Sequence, residues 1–324
     1  MKPRPFFNSS SEDKNNNANI RQEFSLNVLS VSLKELKSLE EKSVLIVGCD
    51  EFGGTVSELL ARAGVGRIVV MDNEKVKITD VYNELLANAE NIGKLKVFLA
   101  EDRLRLINPG MKNDFWVSEV RSSTVEAAVS GKDAVIASIR EKEKALILEN
   151  ACEKKNIPLI MINAYEWSVQ VIVSVPGSKA IERFLGANEL PEFSSTPGFT
   201  ASTAASLASA EALKALTGRK SAATGMVINS DLDSMRLEVI SPDEVCVVNK
   251  DIRITINKFC DKQEITVRRG TSIAELADAE GFDPNGGYVF ITRNTRLVRA
   301  AEYSTTIVEE GDLIGFQYKF ITGG

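Results

Sequence analysis

The segment from residue 43 to residue 72, SVLIVGCDEFGGTVSELLARAGVGRIVVMD, constrains the fold more than any other part of the chain. An apolar run leads into a glycine-containing turn. A stretch with apolar residues at helical spacing then stops at Gly64, and a second apolar run ends at Asp72. Strand, turn, helix, strand and acid in this order are typical of the first βαβ unit of a nucleotide-binding fold. The segment therefore predicts a parallel pair of strands joined by a helix.

The turn of this unit departs from the glycine-rich pattern that cradles phosphates. Gly48 and Gly53 occupy the first and last positions of a G-x-G-x-x-G motif, but Asp50 replaces the middle glycine and Glu51 follows it. Two unit charges about 4 Å apart repel by about 4 kcal/mol at an effective dielectric near 20, so a carboxylate here opposes a phosphate. Asp72 stands where an acid would bind a ribose. The pattern leaves open a nucleotide site with an altered loop and an α/β domain that binds no nucleotide.

Strand and helix patterns alternate far beyond this unit, which predicts a Rossmann-like α/β fold with a doubly wound, mainly parallel sheet over residues 21 to 248. A short amphipathic helix in SLKELKSLEEK precedes it, and residues 1 to 20, rich in Asn and Ser, predict a flexible extension. Predicted strands are VLIVG, RIVVM, FWVSEV, DAVIASI, IPLIMINAY and SVQVIVSVPG. LGANELPEFSSTPGFTASTAAS predicts a long crossing loop before the helix TAASLASAEALKALTG. From residue 249 the order changes to two strands, a helix and two strands, a small α+β domain ending at residue 324.

Composition excludes several classes of function. The 324 residues include no histidine, which removes Ser-His-Asp catalysis and imidazole metal sites. A net charge of -6 argues against a nucleic-acid partner. The four cysteines form no CxxC pair, so we expect reduced thiols and no zinc. We expect neither a membrane span nor a signal peptide, and hence a cytoplasmic protein.

Residues 43 to about 109 resemble the ThiF/MoeB adenylating enzymes, relatives of the ubiquitin-activating enzymes. The segments LARAGVGRIVVMDNEKVKITDVYNELL and NIGKLKVFLAEDRLRLINPG carry the resemblance, and a weaker similarity extends over residues 20 to 245. Such enzymes use Mg-ATP to adenylate the C-terminal glycine of a small β-grasp protein, and they form dimers. The resemblance therefore implies an ATP site, magnesium and a second subunit.

Three positions match the functional residues of that family. The resemblance places Asp72 on the ribose and assigns Lys96, in GKLK, to the phosphates. Arg21, in NIRQ, resembles an N-terminal arginine that reaches into the neighbouring subunit of the family dimer.

Other positions depart from the family pattern. The glycine-rich loop carries Asp50 and Glu51, the arginine of the family's NRQ motif is Asn83, and its magnesium-binding aspartate is Arg140. Because Mg²⁺ takes oxygen ligands, an arginine cannot replace that aspartate, although it can attract another anion. Together these changes predict a degenerate nucleotide site in which ATP and Mg²⁺ are doubtful cofactors. The CxxC pairs that bind zinc in the family, and an evident thioester-forming cysteine, are also absent from the sequence.

The end of the sequence, VEEGDLIGFQYKFITGG, resembles the C-terminus of the ThiS/MoaD sulfur carriers. Their β-grasp (ubiquitin-like) domain ends in a free Gly-Gly, here Gly323 and Gly324. Glycines lack a Cβ, so an extended pair can thread a narrow active site. The resemblance implies that the Gly324 carboxylate is adenylated and then converted to a thiocarboxylate.

Taken together, the sequence predicts a sulfur carrier fused to a degenerate activating-enzyme-like domain. A separate intact ThiF/MoeB-like protein would charge Gly324, as a heterodimer partner or beside a homodimer, and a sulfur donor and a biosynthetic enzyme would complete the route. One alternative is an active enzyme that adenylates its own or its dimer partner's tail. Another is a non-enzymatic interaction module. The sulfur product stays open among thiamine, molybdenum or tungsten pterin and sulfur amino acids.

Overall fold

A computed structural model describes residues 32–188, 196–245, 252–258, 261–267, 270–283, 289–309 and 311–318. The predicted N-terminal extension, Arg21, Cys246, Cys260 and the Gly323–Gly324 pair lie outside these ranges. The chain divides into two compact units, Met1–Val245 and Cys246–Gly324. Within the described residues, no helix is both long enough and apolar enough to cross a membrane.

The first unit is built on an eight-stranded mixed sheet with strand order β3-β2-β1-β4-β5-β6-β7-β8. Its strands are β1 (Ser43–Val47), β2 (Arg67–Met71), β3 (Lys112–Trp116), β4 (Ala134–Ala137), β5 (Leu159–Tyr165), β6 (Ser168–Ser174), β7 (Val227–Asp231) and β8 (Arg236–Ile240). Strands β1 to β5 run parallel to one another, whereas β6, β7 and β8 each lie antiparallel to their neighbours. The Rossmann-like α/β fold predicted from the sequence is confirmed for this unit.

Helices pack on this sheet and complete its core. They are α1 (Leu33–Glu40), α2 (Gly53–Ala63), α3 (Lys96–Ile107), α4 (Val125–Val129), α5 (Lys142–Lys155), α6 (Ala180–Ala187) and α7 (Gly198–Thr217), with a 3₁₀ helix at Ile78–Tyr82. Every residue of β1 and β4 is buried, and all of them except Ser43 are apolar, as expected for strands that are covered on both faces. The alanine-rich helix α7 contacts β5 and β6 with fully buried alanines such as Ala204 and Ala208. Small side chains allow that close approach.

Three local predictions were wrong. Strand β3 is Lys112–Trp116 rather than residues 115 to 120. Helix α7 begins at Gly198, before the predicted residue 203, and α6 was missed. The missed start of α6 has a physical reason, since its cap comes from another helix: the Glu149 carboxylate accepts hydrogen bonds from the amides of Ile181 and Glu182, at 2.9 and 2.8 Å. A local sequence pattern cannot reveal such a cap.

The second unit contains a five-stranded mixed sheet with order β10-β9-β13-β11-β12. Its elements are β9 (Ile252–Lys258), β10 (Asp261–Val267), α8 (Ile273–Ala279), β11 (Val289–Arg293), β12 (Arg296–Leu297) and β13 (Leu313–Tyr318). The last strand, β13, lies parallel to β9 and antiparallel to β11. The core includes Phe316, which is fully buried and stacks on the Phe282 ring at 4.7 Å between centroids.

The turn before β13 is held by a buried carboxylate. Asp312, only 4% exposed, accepts hydrogen bonds from the Asn294 side chain at 2.7 Å and from the Glu309 amide at 2.8 Å. Arg293 Nε lies 2.7 Å from the same carboxylate. Asp312 of the Gly-Asp turn thus fixes how the last strand enters the sheet.

Candidate functional site

A cavity of about 600 Å³ opens at the carboxyl ends of β1, β2 and β4. Gly48, Asp72 and Ser138, which directly follow those strands, contribute to its lining. Successive strands lead away from β1 in opposite directions, through β2 on one side and β4 on the other. The cavity therefore lies at the topological switch point, where sheets of this type bind their ligands.

The two glycines of the turn are required by geometry. Gly48 has φ +91°, a left-handed conformation that a side chain would strain. A Cβ on Gly53 would lie 1.9 Å from the carbonyl oxygen of Gly48, so no larger residue fits there. The turn thus has the tight path and the close packing of strand and helix that the first and last glycines of such a motif provide.

In this loop the side chain of Asp50 accepts the hydrogen bonds of the backbone amides. Its Oδ1 accepts hydrogen bonds from the amides of Phe52 and Gly53, both at 3.1 Å, at the amino end of helix α2. Its Oδ2 accepts a bond from Ser138 Oγ at 2.5 Å. Burial raises the pKa of Asp50, and the bonds from Ser138 and the two amides oppose that shift. A carboxylate of the chain thus sits at a helix terminus that otherwise attracts an external anion.

Asp72 lies where the sequence predicts a ribose-binding acid. Its Oδ2 accepts a hydrogen bond from the Cys49 amide at 2.6 Å, and its Oδ1 accepts one from the Glu74 amide at 2.6 Å. An ionised carboxylate has about four acceptor sites, so these two bonds leave further acceptor capacity toward the cavity.

Lys96 is enclosed by carboxylates. Its Nζ lies 2.6 Å from Glu84, 3.1 Å from Asp80 and 3.6 Å from Glu74, and the residue is 4% exposed. Burial alone lowers the pKa of Lys96, but the Glu84 and Asp80 carboxylates raise it above its ordinary value. Burial also raises the pKa of Glu84 to about 8, although Lys96 pulls it down. The lysine that the family resemblance assigns to phosphates is thus neutralised by the chain itself.

Arg140 and Asn83 also line the cavity. The Arg140 guanidinium donates to Glu51 Oε1 at 3.1 Å, while Glu51 is 5% exposed. Burial, followed by the nearby Asp50 charge, raises the pKa of Glu51 to about 6. Asn83 ends the 3₁₀ helix at Ile78–Tyr82. Both departures from the family pattern therefore lie in the same cavity as Asp50, Asp72 and Lys96.

The cavity as a whole is acidic. Eight carboxylates and four cationic groups line it, a formal charge of -4 with all of them ionised. The carboxylates are Asp50, Glu51, Asp72, Glu74, Asp80, Glu84, Glu119 and Glu141, and the cations are Lys77, Lys96, Arg140 and Lys144. Each cation is already paired with a carboxylate, at distances from 2.6 to 3.1 Å. A triphosphate would have to displace these internal partners.

Sequence reasoning named seven of the residues that line the cavity and did not name the others, among them Ser138, Glu74, Asp80 and Glu84. Ser138 directly follows β4 as Asp72 follows β2, and that strand-end position is a signal that could have identified it. The three acids around Lys96 come from a loop and a 3₁₀ helix, where no periodicity marks them. Within the described ranges, no group of three or more acidic or cysteine side chains is arranged to hold a metal ion.

Fold and cavity together define a Rossmann-like α/β domain with a cavity at the switch point of the sheet. Residues 24–248 match the model of the ThiF family, and since this is more than half of the chain, the protein belongs to that family. The match ends before most of the second unit begins.

The relatives agree with this membership. The heterocyst protein HesA of Trichormus variabilis is 26% identical over 203 residues, which are 61% of this chain and 76% of that protein. The sulfur carrier protein ThiS adenylyltransferase of Escherichia coli is 26% identical over 146 residues, 45% of this chain and 58% of that protein. The crystal structure of PaaA superposes with a TM-score of 0.58 at 18% identity, covering 76% of this chain and 79% of that chain. The predicted resemblance to ThiF-type adenylyltransferases is confirmed.

Proposed function

We propose that this protein is a sulfur carrier fused to a ThiF-type domain that has lost most of its affinity for ATP. The second unit is the carrier, and the Gly324 carboxylate is its reactive group. A separate, intact ThiF-type adenylyltransferase activates that carboxylate, and a sulfur donor converts it to a thiocarboxylate for a biosynthetic enzyme.

The observation that carries the proposal is the order of strands in the second unit. In chain order its five strands are arranged 2-1-5-3-4, with α8 between the second and the third. We interpret this order as that of a β-grasp fold, in which the last strand lies in the middle of the sheet. In the sequence Gly324 follows Tyr318 by six positions. Six extended residues span about 20 Å, enough to enter the active site of a partner.

The acidic cavity supports activation by another protein. Asp50 takes the helix amides and Lys96 is neutralised, so the groups that would bind a triphosphate are already engaged. Arg140 offers no oxygen ligand to Mg²⁺. We propose that this domain serves as a scaffold and dimer partner, with Arg21 supplied to the intact subunit.

The proposed route has two chemical steps, adenylation of the carboxylate and transfer of sulfur to it. The Gly324 carboxylate attacks the α-phosphorus of ATP on the partner, which forms an acyl adenylate and releases pyrophosphate. The sulfur donor, either sulfide or the terminal sulfur of a persulfide, attacks the acyl carbon and expels AMP. Sulfide gives the thiocarboxylate directly, whereas a persulfide gives an acyl disulfide whose S–S bond must still be reduced. A persulfide donor also needs two electrons, which a second thiol supplies by forming a disulfide.

Two measurements test the proposal. The first is ATP–pyrophosphate exchange with Mg²⁺, for the full chain and for a chain without Gly324, each alone and with an intact ThiF-type adenylyltransferase. The second is intact mass after supply of sulfide, which reports replacement of oxygen by sulfur at the C-terminus. We expect no exchange by the chain alone. With the intact partner we expect exchange and a thiocarboxylate, both dependent on Gly324.

Two contrary outcomes would each favour one of the alternatives, and a third would overturn the carrier role. Exchange by the chain alone that is lost without Gly324 would mean that the domain adenylates its own tail. Normal function in cells after deletion of Gly324 would instead favour a non-enzymatic interaction module. A mature C-terminus other than Gly324, read from the same mass spectrum, would also overturn the carrier role.

A further inference from the structure

The Asp50 carboxylate has the contacts that a bound phosphate would have at this turn. It accepts bonds from two successive backbone amides, of Phe52 and Gly53, and from one hydroxyl, of Ser138. The next amide, of Gly54, donates to the Asp50 carbonyl oxygen at 3.2 Å. Asp50 therefore accepts hydrogen bonds from three amides at the amino end of α2.

Such an internal anion acts against phosphates in two ways. A phosphate would have to displace the carboxylate from its three donors to reach the helix terminus. If it bound beside the carboxylate instead, each unit of like charge about 4 Å away would cost about 4 kcal/mol at an effective dielectric near 20. The remaining acids of the cavity add to this repulsion, so the opposition grows with each phosphate.

The part of the cavity that would receive a sugar is preserved. Asp72 stands at the end of β2 with acceptor capacity left on both oxygens, the position that binds ribose hydroxyls in folds of this kind. The volume of about 600 Å³ lies within the range of about 300–1,000 Å³ found for small-ligand sites. A nucleoside meets no charge conflict there.

We propose that Asp50 is a specificity-determining residue that takes the place of a phosphate, so that this cavity binds an unphosphorylated nucleoside and rejects nucleotides. The inference rests on the part of the proposed function that places the loss of ATP in this loop. It adds a ligand class, a nucleoside, and assigns the selection to one side chain.

Two variants separate the charge of Asp50 from the space that it occupies. In Asp50→Asn an amide oxygen can still accept from Phe52 and Gly53, but the charge is gone. In Asp50→Gly both charge and occupancy are removed, which returns the loop to a glycine-rich sequence. The probes are adenosine, AMP, ADP and ATP, measured by equilibrium dialysis against the full chain with and without excess Mg²⁺.

The wild-type chain should bind adenosine at least about tenfold more tightly than ATP, with AMP and ADP between them. Asp50→Asn should reduce this preference, because only the repulsion is lost. Asp50→Gly should reduce it further, because the helix amides also become available to a phosphate.

Asp133→Asn provides the matched control. Asp133 accepts hydrogen bonds from the Ser43 amide at 2.8 Å and from Lys42 Nζ at 2.9 Å, at the opposite end of β1. The substitution removes a carboxylate with comparable contacts away from the cavity, and it should leave the order of the four ligands unchanged.

Tighter binding of ATP than of adenosine by the wild-type chain would overturn the inference, and so would no binding of adenosine at millimolar concentration. An undiminished preference for adenosine over ATP in both Asp50→Asn and Asp50→Gly would equally overturn it. If Asp50→Gly does not fold, Asp50→Asn decides, since a change in preference requires only the loss of charge.

Binding is also measured on the chain without Gly324. A preference for adenosine with no thiocarboxylate formed at Gly324 of the full chain would contradict the proposed function alone. A thiocarboxylate at Gly324 without that preference would contradict this inference alone.

Discussion

Lys96 is the residue on which the charge balance of the cavity depends. Its ammonium lies 2.6 Å from Glu84 and 3.1 Å from Asp80 in a buried setting. Replacing it in Lys96→Met leaves buried carboxylates without a counter-charge, which typically costs about 3–5 kcal/mol. The loss should be larger near pH 9 than near pH 6, because Glu84, whose pKa is about 8 even with Lys96 beside it, takes up a proton at the lower pH. Urea unfolding across this range measures it.

A second substitution tests that explanation. Lys96→Met combined with Glu84→Gln also removes the nearest carboxylate and leaves Asp80 as a remaining buried one, so it should recover part of the lost stability. A double variant as unstable as Lys96→Met alone would show that the loss came from packing.

Glu51 gives a separate prediction because its pKa is raised in the folded protein. The folded value is about 6 against an ordinary 4.5, so between these values the folded state holds a proton that the unfolded chain has lost. Stability from this group is therefore present below about pH 4.5 and is lost as pH rises through 6. Glu51→Gln cannot titrate, and near pH 7 it should be more stable than the wild type by up to about 2 kcal/mol.

The difference in the free energy of unfolding between Glu51→Gln and the wild type should vanish at low pH. Glu126→Gln is the control, since Glu126 is exposed and its bond with Lys154 lowers its pKa. It should show no such gain near neutral pH, and a gain of equal size in both variants would contradict the assignment to Glu51.

At the scale of elements, the cap of α6 is a bond between two helices. Glu149 on α5 accepts bonds from the amides of Ile181 and Glu182 and from Ser174 Oγ, at 2.6 to 2.9 Å. Glu149→Ala leaves these buried donors without an acceptor, and we expect a loss of about 2–4 kcal/mol in the free energy of unfolding of the first unit. Glu182→Ala, which removes an exposed partner of Lys179, should change it by less than about 0.5 kcal/mol. Equal losses would show that the cap is not the cause.

The same cap shows how far sequence reasoning reaches. Strands β1, β2 and β4 were predictable because burial on both faces requires continuous apolar runs, and α2 because its helical spacing ends at Gly64. The start of α6 was not, because its acceptor lies 32 residues earlier in the chain. In the cavity, Asp72 was found from its strand-end position. The pairing of Lys96 with Glu84 depends on the path of a loop, and no spacing rule predicts it.

At the scale of the whole molecule, the two units have separate hydrophobic cores. Phe184 is fully buried in the first and Phe316 in the second. Both tryptophans of the chain, Trp116 and Trp167, belong to the first unit. Tryptophan fluorescence therefore reports the unfolding of the first unit, whereas far-ultraviolet circular dichroism reports both.

We predict that the two units unfold as separate transitions, because each buries its own core. Phe316→Ala should destabilise the second unit by about 3–5 kcal/mol, which shifts part of the dichroism transition and leaves the fluorescence midpoint unchanged. Phe184→Ala, a deletion of the same size in the first unit, should shift the fluorescence midpoint instead. Urea titrations with both probes on the full chain make the comparison. If Phe316→Ala moved the fluorescence midpoint as far as the dichroism, the units would be one cooperative body. The proposed carrier role requires that the fluorescence midpoint stay unchanged in Phe316→Ala. The second unit must hold its fold without support from the first when it presents its tail to a separate partner.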